Sequence, residues 1–305
     1  MSINVFLTLA WFALIVGLLQ GLYMENQAES FIGRLSQSSL AYMRRLLFRV
    51  LSVGPIPNHL AFILDGNRRY ARKWKLGEGM GHRAGFLSLM CLMKYCCELG
   101  VKYVTIYAFS IDNFRRKPHE VQGVMDLMLE KIEGLLKEES IVKQYGVRVY
   151  FIGNLKLLSD PVRLAAEKAM KATSNNNSCA LLICVAYTST DEILHAAVES
   201  CEDKCSEIRS LGRLQNGEIG LEKYGAVSLA NVEKHMYMGV APDPDILVRT
   251  SGETRLSNFL LWQTSTCLLY SPKALWPEIG MRHLVWAVLN FQRIHPYMEK
   301  ARKQL

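Results

Sequence analysis

A chain of 305 residues, 50% hydrophobic and 21% charged, has the apolar material for a sizeable core, which excludes a disordered or collagen-like polypeptide. Its 36 Lys and Arg against 28 Asp and Glu leave a formal charge of +8, which suits an anionic partner: nucleic acid, a phospholipid surface or a phosphorylated small molecule. The eight cysteines fall mostly within apolar runs and never form a paired Cys-x-x-Cys array, which argues against a zinc site or a disulfide framework and for reduced thiols on a cytosol-facing protein.

In chain order, the first element is an uncharged run from Ile3 to Met24, long enough to span a bilayer. It has neither a basic leading region nor a clear small-residue cleavage site, so a membrane anchor (residues 1–24) is preferred to a cleaved signal peptide. Arg34, Arg44, Arg45 and Arg49 follow the run, and the positive-inside rule then sets the rest of the chain in the cytoplasm. Residues 25–56 form an amphipathic linker. Within it Leu40–Val53 reads either as a helix lying along a membrane surface or as an ordinary helix with a solvated basic face.

The breakers Gly54-Pro55-Ile56-Pro57 open a domain over 57–305. Six apolar or β-branched runs predict strands: Leu60–Leu64, Tyr103–Phe109, Val147–Ile152, Leu181–Ala186, Ile246–Arg249 and Cys267–Tyr270. Between them, helical periodicity covers Ala84–Leu99, Glu120–Glu139, Pro161–Ala172, Thr190–Cys205 and Arg282–Arg302. The alternation predicts a single α/β domain with a central, mostly parallel six-stranded sheet flanked by helices, preceded by the N-terminal apolar helix. Glu207 to Ala226 shows no firm period and reads as a surface excursion.

In such sheets the chemistry gathers beyond the carboxyl ends of the strands. The first strand runs into Asp65-Gly66-Asn67-Arg68-Arg69-Tyr70-Ala71, where a glycine turn, a helix amino terminus and two guanidinium forks make an anion cradle. A carboxylate beside a phosphate is repulsive unless a divalent cation lies between them. Asp65 is therefore the expected ligand of a Mg²⁺ whose other positions go to substrate oxygens and water. The second strand ends in Tyr107-Ala108-Phe109-Ser110-Ile111-Asp112-Asn113-Phe114-Arg115-Arg116, and the fifth in Arg249-Thr250-Ser251-Gly252-Glu253-Thr254-Arg255-Leu256-Ser257-Asn258. Donors enough for two phosphate groups thus collect on one sheet edge.

These motifs, in this order, together with His59-Leu60-Ala61-Phe62-Ile63-Leu64 before Asp65, Phe259-Leu260-Leu261-Trp262-Gln263 after Asn258, and Leu275-Trp276-Pro277-Glu278, resemble the cis-prenyltransferases from about Pro57 to Phe291. The variant is similar to eukaryotic dehydrodolichyl diphosphate synthases and rubber-type enzymes. The resemblance implies Mg²⁺-dependent addition of isopentenyl diphosphate to an allylic primer, farnesyl diphosphate by expectation, giving a long Z-polyprenyl diphosphate. It implies that Asp65, Gly66, Asn67, Arg68, Arg69 and His82 surround the allylic diphosphate with Arg116 on the same leaving group. Arg249, Arg255 and Ser257 would bind isopentenyl diphosphate, and Ser110 and Asn113 would sit near the reacting carbons as catalytic residues that assist proton removal. On this reading Asp65→Ala abolishes product and leaves the fold intact.

Bacterial members carry an arginine where this chain has Glu78, a metal-binding glutamate where it has Leu268, and an Arg-x-Gly tail. Here the ending is Tyr297-Met298-Glu299-Lys300-Ala301-Arg302-Lys303-Gln304-Leu305, and Arg83-Ala84-Gly85 far upstream is the only such tripeptide. The expected partner is a noncatalytic subunit of the Nogo-B-receptor type supplying that tail, at the endoplasmic reticulum membrane. The rivals fare worse. Trans-prenyltransferases rely on Asp-Asp-x-x-Asp motifs that do not occur here, and the glycines of Gly77–Gly81 follow a basic helical stretch where a dinucleotide fingerprint needs a strand. No nucleic-acid recognition module occurs, so nucleic acid is not an expected partner. The apolar faces of Ala84–Leu99 and Glu120–Glu139, with Leu87, Met90, Met93, Val124 and Met128, serve either as core or as the wall of a hydrocarbon tunnel.

Overall fold

The computed structural model describes residues 31–304 apart from 78, 138–139 and 215–225, so the proposed anchor over 1–24 and the Glu78 position lie outside the described residues. In chain order the elements are α1 (Phe31–Leu51), β1 (His59–Ile63), α2 (Asn67–Lys73), α3 (Met80–Leu99), β2 (Tyr103–Ser110) and α4 (Pro118–Leu135). Next come α5 (Ile141–Tyr145), β3 (Val147–Ile152), α6 (Asp160–Ala172), β4 (Cys179–Tyr187), α7 (Ser189–Leu214) and α8 (Leu229–His235). The chain closes with β5 (Ile246–Arg249), β6 (Leu268–Tyr270) and α9 (Met281–Arg302). No helix among the described residues is long and apolar enough to cross a membrane.

All five strand pairings are parallel, in the order β3-β4-β2-β1-β5-β6. β1, β4 and β5 are buried along their whole length, which is why each reads as an unbroken apolar run. Alternate residues feed two cores. Leu60 and Phe62 join the larger core under α1, α3, α4, α6 and α9, whereas Ala61 and Ile63 face a thinner one closed by Met238, Phe259 and Leu260. Connections run one way along the sheet from β1 to β2 and the other way from β5 to β6. The switch point therefore falls between β1 and β5, where an open α/β sheet forms its crevice.

Two sequence expectations are corrected, and an open one is decided. The helix from Glu120 stops at Leu135, because Ser140 starts a new one: its hydroxyl donates to the Leu135 carbonyl (2.7 Å) and accepts from the Lys143 N–H (3.3 Å). The excursion expected from Glu207 begins later, since α7 continues to Leu214. Of the two readings of Leu40–Val53, the structure has the ordinary amphipathic helix, which ends at Leu51, docks on the domain and leaves Arg45 and Arg49 exposed. Leu47, Phe48 and Leu51 enter the larger core, and buried Arg44 pairs with Glu98 of α3 at 2.7 Å.

Candidate active site

At the tip of β1 the Asp65 backbone is tied down by the neighbouring strand. The Thr250 hydroxyl donates to its carbonyl (2.5 Å) and accepts from its N–H (3.0 Å), while the Ser251 hydroxyl and the Trp276 N–H donate to the same carbonyl at 2.8 and 2.9 Å. Gly66 follows at φ +114°, a left-handed conformation costly for any side chain, and a Cβ there would lie 2.6 Å from Ser251 Oγ. The chain then enters α2 with Arg68 and Arg69 in its first turn.

Two further glycines place α3 on this turn. A Cβ on Gly81 would meet the Asn67 carbonyl oxygen at 2.1 Å, and one on Gly85 would meet Asn67 Oδ1 at 2.2 Å. Only bare backbone allows so close an approach. The Trp276 indole N–H donates to the Gly85 carbonyl at 2.9 Å, locking the third wall. Gly81 therefore serves helix packing, which disposes of the dinucleotide reading of its run.

The Asp65 carboxylate faces two guanidinium groups. Arg69 reaches Oδ1 and Arg249 reaches Oδ2, each at 3.1 Å. Arg249 is buried and also donates to Ser257 Oγ (2.6 Å) and the Arg255 carbonyl (2.5 Å), leaving its Nε buried without a partner. Arg255 pairs with Glu253. The loop that carries these groups has Ser251, Ser257, Asn258 and Leu260 at positive φ, strain of the kind that accumulates at binding sites. It is clamped by the start of α7. The Asn258 side chain bonds Thr190, the Ser189 N–H donates to the Asn258 carbonyl at 2.8 Å, and the Leu261 N–H donates to the Ser189 hydroxyl at 2.9 Å.

Across the crevice, β2 ends in a capping box: Ser110 Oγ accepts from the Asp112 N–H and Asn113 Oδ1 from the Ser110 N–H, both at 3.1 Å. Asn113 thus keeps its Nδ2 donor for the cavity. Arg116 and Arg68 form a cationic pair with the His82 imidazole beside them. Burial, then the adjacent Arg68, lowers Arg116; burial, then Arg116 and Arg68, lowers His82. Their nearest countercharge is Glu120, 3.8 Å from Arg68. Two arginines that share one partly exposed carboxylate leave an excess of positive charge, which suits an anion.

Both halves open on one cavity of about 780 Å³. Asp65, Asn67, Arg68, His82, Ser110, Asn113, Arg116, Arg249, Arg255 and Ser257 line its mouth, so ten of the twelve expected site residues share one wall system. Gly66 and Arg69 stand just behind it. The floor is apolar, with Phe86 and Leu89 of α3, Val124, Met128 and Ile132 of α4, and Phe151 and Ile183 beneath. Of the expected tunnel residues only Val124 and Met128 belong there. Leu87 points outward at 67% exposure, Met93 is packed in the core, and the cavity-facing stripe of α3 runs through His82, Phe86 and Leu89. Leu268 begins β6 at the amino-terminal edge of the sheet, remote from the mouth. Sequence reasoning missed Thr250, Ser251, Trp276, Gly85 and the α7 clamp, whose roles are contacts to distant parts of the chain. The one signal for Thr250, Ser251, Trp276 and Gly85 is membership of the quoted motifs, and the α7 clamp has none.

Residues 63–298 match the family model described as putative undecaprenyl diphosphate synthase. A dehydrodolichyl diphosphate synthase of Solanum lycopersicum is 58% identical over 289 residues, covering 92% of this chain and 100% of that protein. The rubber cis-polyprenyltransferase of Hevea brasiliensis is 58% identical over 87% of this chain and 94% of its own length. A subunit of the human dehydrodolichyl diphosphate synthase complex is 40% identical over 88% of this chain and 77% of its own length. Among solved structures, lavandulyl diphosphate synthase from Lavandula x intermedia, in complex with dimethylallyl diphosphate, superposes with a TM-score of 0.64 at 27% identity, covering 78% of this chain and 95% of that one. With one sheet edge carrying the anion cradle, the cation cluster and the mouth of an apolar cavity, and with these relatives matching nearly end to end, the chain belongs to the cis-prenyltransferase family and is a transferase of the eukaryotic type.

Proposed function

We propose that this enzyme condenses isopentenyl diphosphate with an allylic primer, farnesyl diphosphate, and releases a long Z-polyprenyl diphosphate of the dolichol or rubber type. The observation that carries the reading is the cavity itself, whose mouth gathers cations from the loops after β1, β2 and β5 and whose floor is hydrocarbon. A diphosphate sits at the mouth and its chain lies below. Burying that chain stabilises the complex by about 0.8 kcal/mol per CH₂.

The trio Arg68, Arg116 and His82 receives the allylic diphosphate. As the allylic C–O bond breaks, charge builds on the departing group, and cations already fixed in position lower the barrier. Arg249, Arg255 and Ser257 take isopentenyl diphosphate. Asn113, with Oδ1 engaged by the Ser110 N–H, offers a donor rather than a base, and Ser110 Oγ already accepts from the Asp112 N–H. The proton lost on forming the new alkene therefore goes to an oxygen of the released diphosphate.

The donor set suits a hard divalent cation. Asp65 is a single carboxylate at the mouth, no cluster of three or more acidic, His or Cys groups occurs among the described residues, and Mg²⁺ takes one carboxylate with phosphate oxygens and water. Mg²⁺ held by Asp65 would act as a Lewis acid on the leaving diphosphate.

A second subunit completes the site. Arg302 at the end of α9 donates to Asp245 at 2.8 Å, and Asp245 in turn accepts from the N–H of Asn58 and His59. The last turn of α9 is thus pinned at the amino-terminal edge of the sheet, opposite the cavity. A noncatalytic subunit of the Nogo-B-receptor type with an Arg-x-Gly tail supplies a donor to the mouth, in keeping with the complex named for the human relative. The endoplasmic reticulum membrane, with the domain facing the cytoplasm, is the proposed location.

The test incubates the full chain, alone and with such a subunit, with farnesyl diphosphate, radiolabelled isopentenyl diphosphate and Mg²⁺, and sizes the products. Long polyprenyl chains that vanish with Asp65→Ala or with EDTA are expected. Only trans-configured products, or none in either preparation, would overturn the reading, and equal turnover with and without the second subunit would overturn the partner.

A further inference from the structure

α3 and α4 flank the apolar part of the cavity, and α4 makes its main backbone approach to α6. The seam between them is crossed by side chains. Arg83 of α3 grips Glu130 of α4 with two hydrogen bonds, Nη1 to Oε1 at 3.2 Å and Nη2 to Oε2 at 3.0 Å. Lys131 bonds the same carboxylate at 2.8 Å and sets its ammonium 5.1 Å from the centre of the Phe86 ring. Both Phe86 and Lys131 line the cavity.

A lysine in the wall of a hydrocarbon cavity is the anomaly here, since an ammonium is stable there only if its charge is answered. Glu130 and the Phe86 face answer it and hold it across the seam. The Arg83–Glu130 pair is about half exposed on both sides, so water screens it and it is a weak contact. A strong bridge would fix the two helices together, whereas this one yields to pressure from within.

Resting on the prenyl-transfer reading above, we propose that the Arg83–Glu130 bridge, with Lys131 against Phe86, is a side gate that sets product length. A chain that has filled the cavity grows further only by parting α3 from α4, and the bridge resists that step. Arg83 and Glu130 are then specificity determinants although they lie outside the diphosphate mouth. The Arg83-Ala84-Gly85 tripeptide also gains a role, its arginine serving the gate and its glycine the packing of α3 on Asn67.

The full chain, prepared with its second subunit, is assayed with farnesyl diphosphate and radiolabelled isopentenyl diphosphate, and the dephosphorylated products are sized chromatographically. Glu130→Arg sets three cations together, and Arg83→Glu sets two carboxylates together. Each is expected to move the commonest product upward by one or more five-carbon units, and the double exchange to restore the wild-type size. The rate of the first condensation stays within about twofold of wild type, which separates a gate from a damaged fold. Identical sizes in all three variants, or a double exchange that shifts as far as the singles, would overturn the gate while leaving the prenyl-transfer reading intact. Absence of any product from the wild-type preparation would remove that reading and the gate with it.

Discussion

Replacing Asp65 by Asn tests the centre of the site on two readouts at once. From sequence alone, loss of this carboxylate is expected to cost activity and nothing else, but the structure gives it a second duty. The Arg249 side chain is 6% exposed, and among the described residues Asp65 is its one charged partner, at 3.1 Å. Removing one member of a buried pair costs about 3–5 kcal/mol because the other charge is left uncompensated. Asp65 is itself 26% exposed and water screens part of the interaction, so about 2–3 kcal/mol is the appropriate figure. For a domain of this size that is a fall of roughly 5–10 °C in the unfolding midpoint.

Thermal unfolding followed by tryptophan fluorescence, with pyrophosphate as the ligand, separates the two duties. In EDTA, pyrophosphate should raise the midpoint of Asp65→Asn more than that of wild type, because an anion replaces the missing countercharge on Arg249. In Mg²⁺ the order should reverse, since only the wild type offers a carboxylate to share the ion. An Asp65→Asn protein as stable as wild type, or one that gains as much from Mg²⁺ with pyrophosphate, would refute the argument.

Gly81→Ala drives a Cβ to 2.1 Å from the Asn67 carbonyl oxygen, a backbone atom that cannot step aside. Overpacking of this kind costs about 1–3 kcal/mol, and because α3 must lift from α2 the fall in kcat/KM should exceed tenfold. Ser257→Ala removes the hydroxyl that receives Arg249 at 2.6 Å. A hydrogen bond to a charged group is worth about 1.5–3 kcal/mol, so KM for isopentenyl diphosphate should rise by roughly tenfold or more while KM for the primer stays put. Burial lowers His59 from 6.5 to about 4, and its ring nitrogens contact the Pro242 carbonyl and the Thr105 hydroxyl. Below pH 6.5 the unfolded chain takes up this proton and the folded chain does not. Stability attributable to His59 is therefore intact above pH 6.5 and falls by about 3 kcal/mol as pH drops to 4. Denaturant unfolding should show that slope in wild type and a shallower one in His59→Asn.

The strands were legible because the sheet is parallel and covered on both faces. Val147–Ile152 and Ile246–Arg249 are recovered to the residue, the first lying between Gly146 and Gly153, both at positive φ. Helix ends were harder. The break after Leu135 depends on Ser140 out-competing continuation of the helix, and the last turns of α7 lie in a stretch whose period is blurred by charges. The cavity-facing positions of α3 were misread by one residue at Leu87 and Phe86, because apolar side chains face both the sheet and the cavity and periodicity alone cannot divide the two stripes.

The site was legible as chemistry before it was legible as geometry. Carboxylate, amide and guanidinium groups that follow apolar runs announce an anion site at strand ends, whatever the tertiary fold. What the sequence could not disclose is how the groups answer one another with no substrate bound. Asp65 and Arg249 are 184 residues apart along the chain, and their pairing follows from β1 and β5 being neighbours at the switch point. That pairing divides the mouth in two. One half, Arg249 with Asp65, is already neutralised, whereas Arg68 and Arg116, beside His82, share one carboxylate, Glu120, at 3.8 Å from Arg68. The same residue types therefore do different work: the two arginines that share one carboxylate attract an incoming diphosphate, and the answered pair keeps the buried Arg249 soluble in the fold until an anion takes over from Asp65.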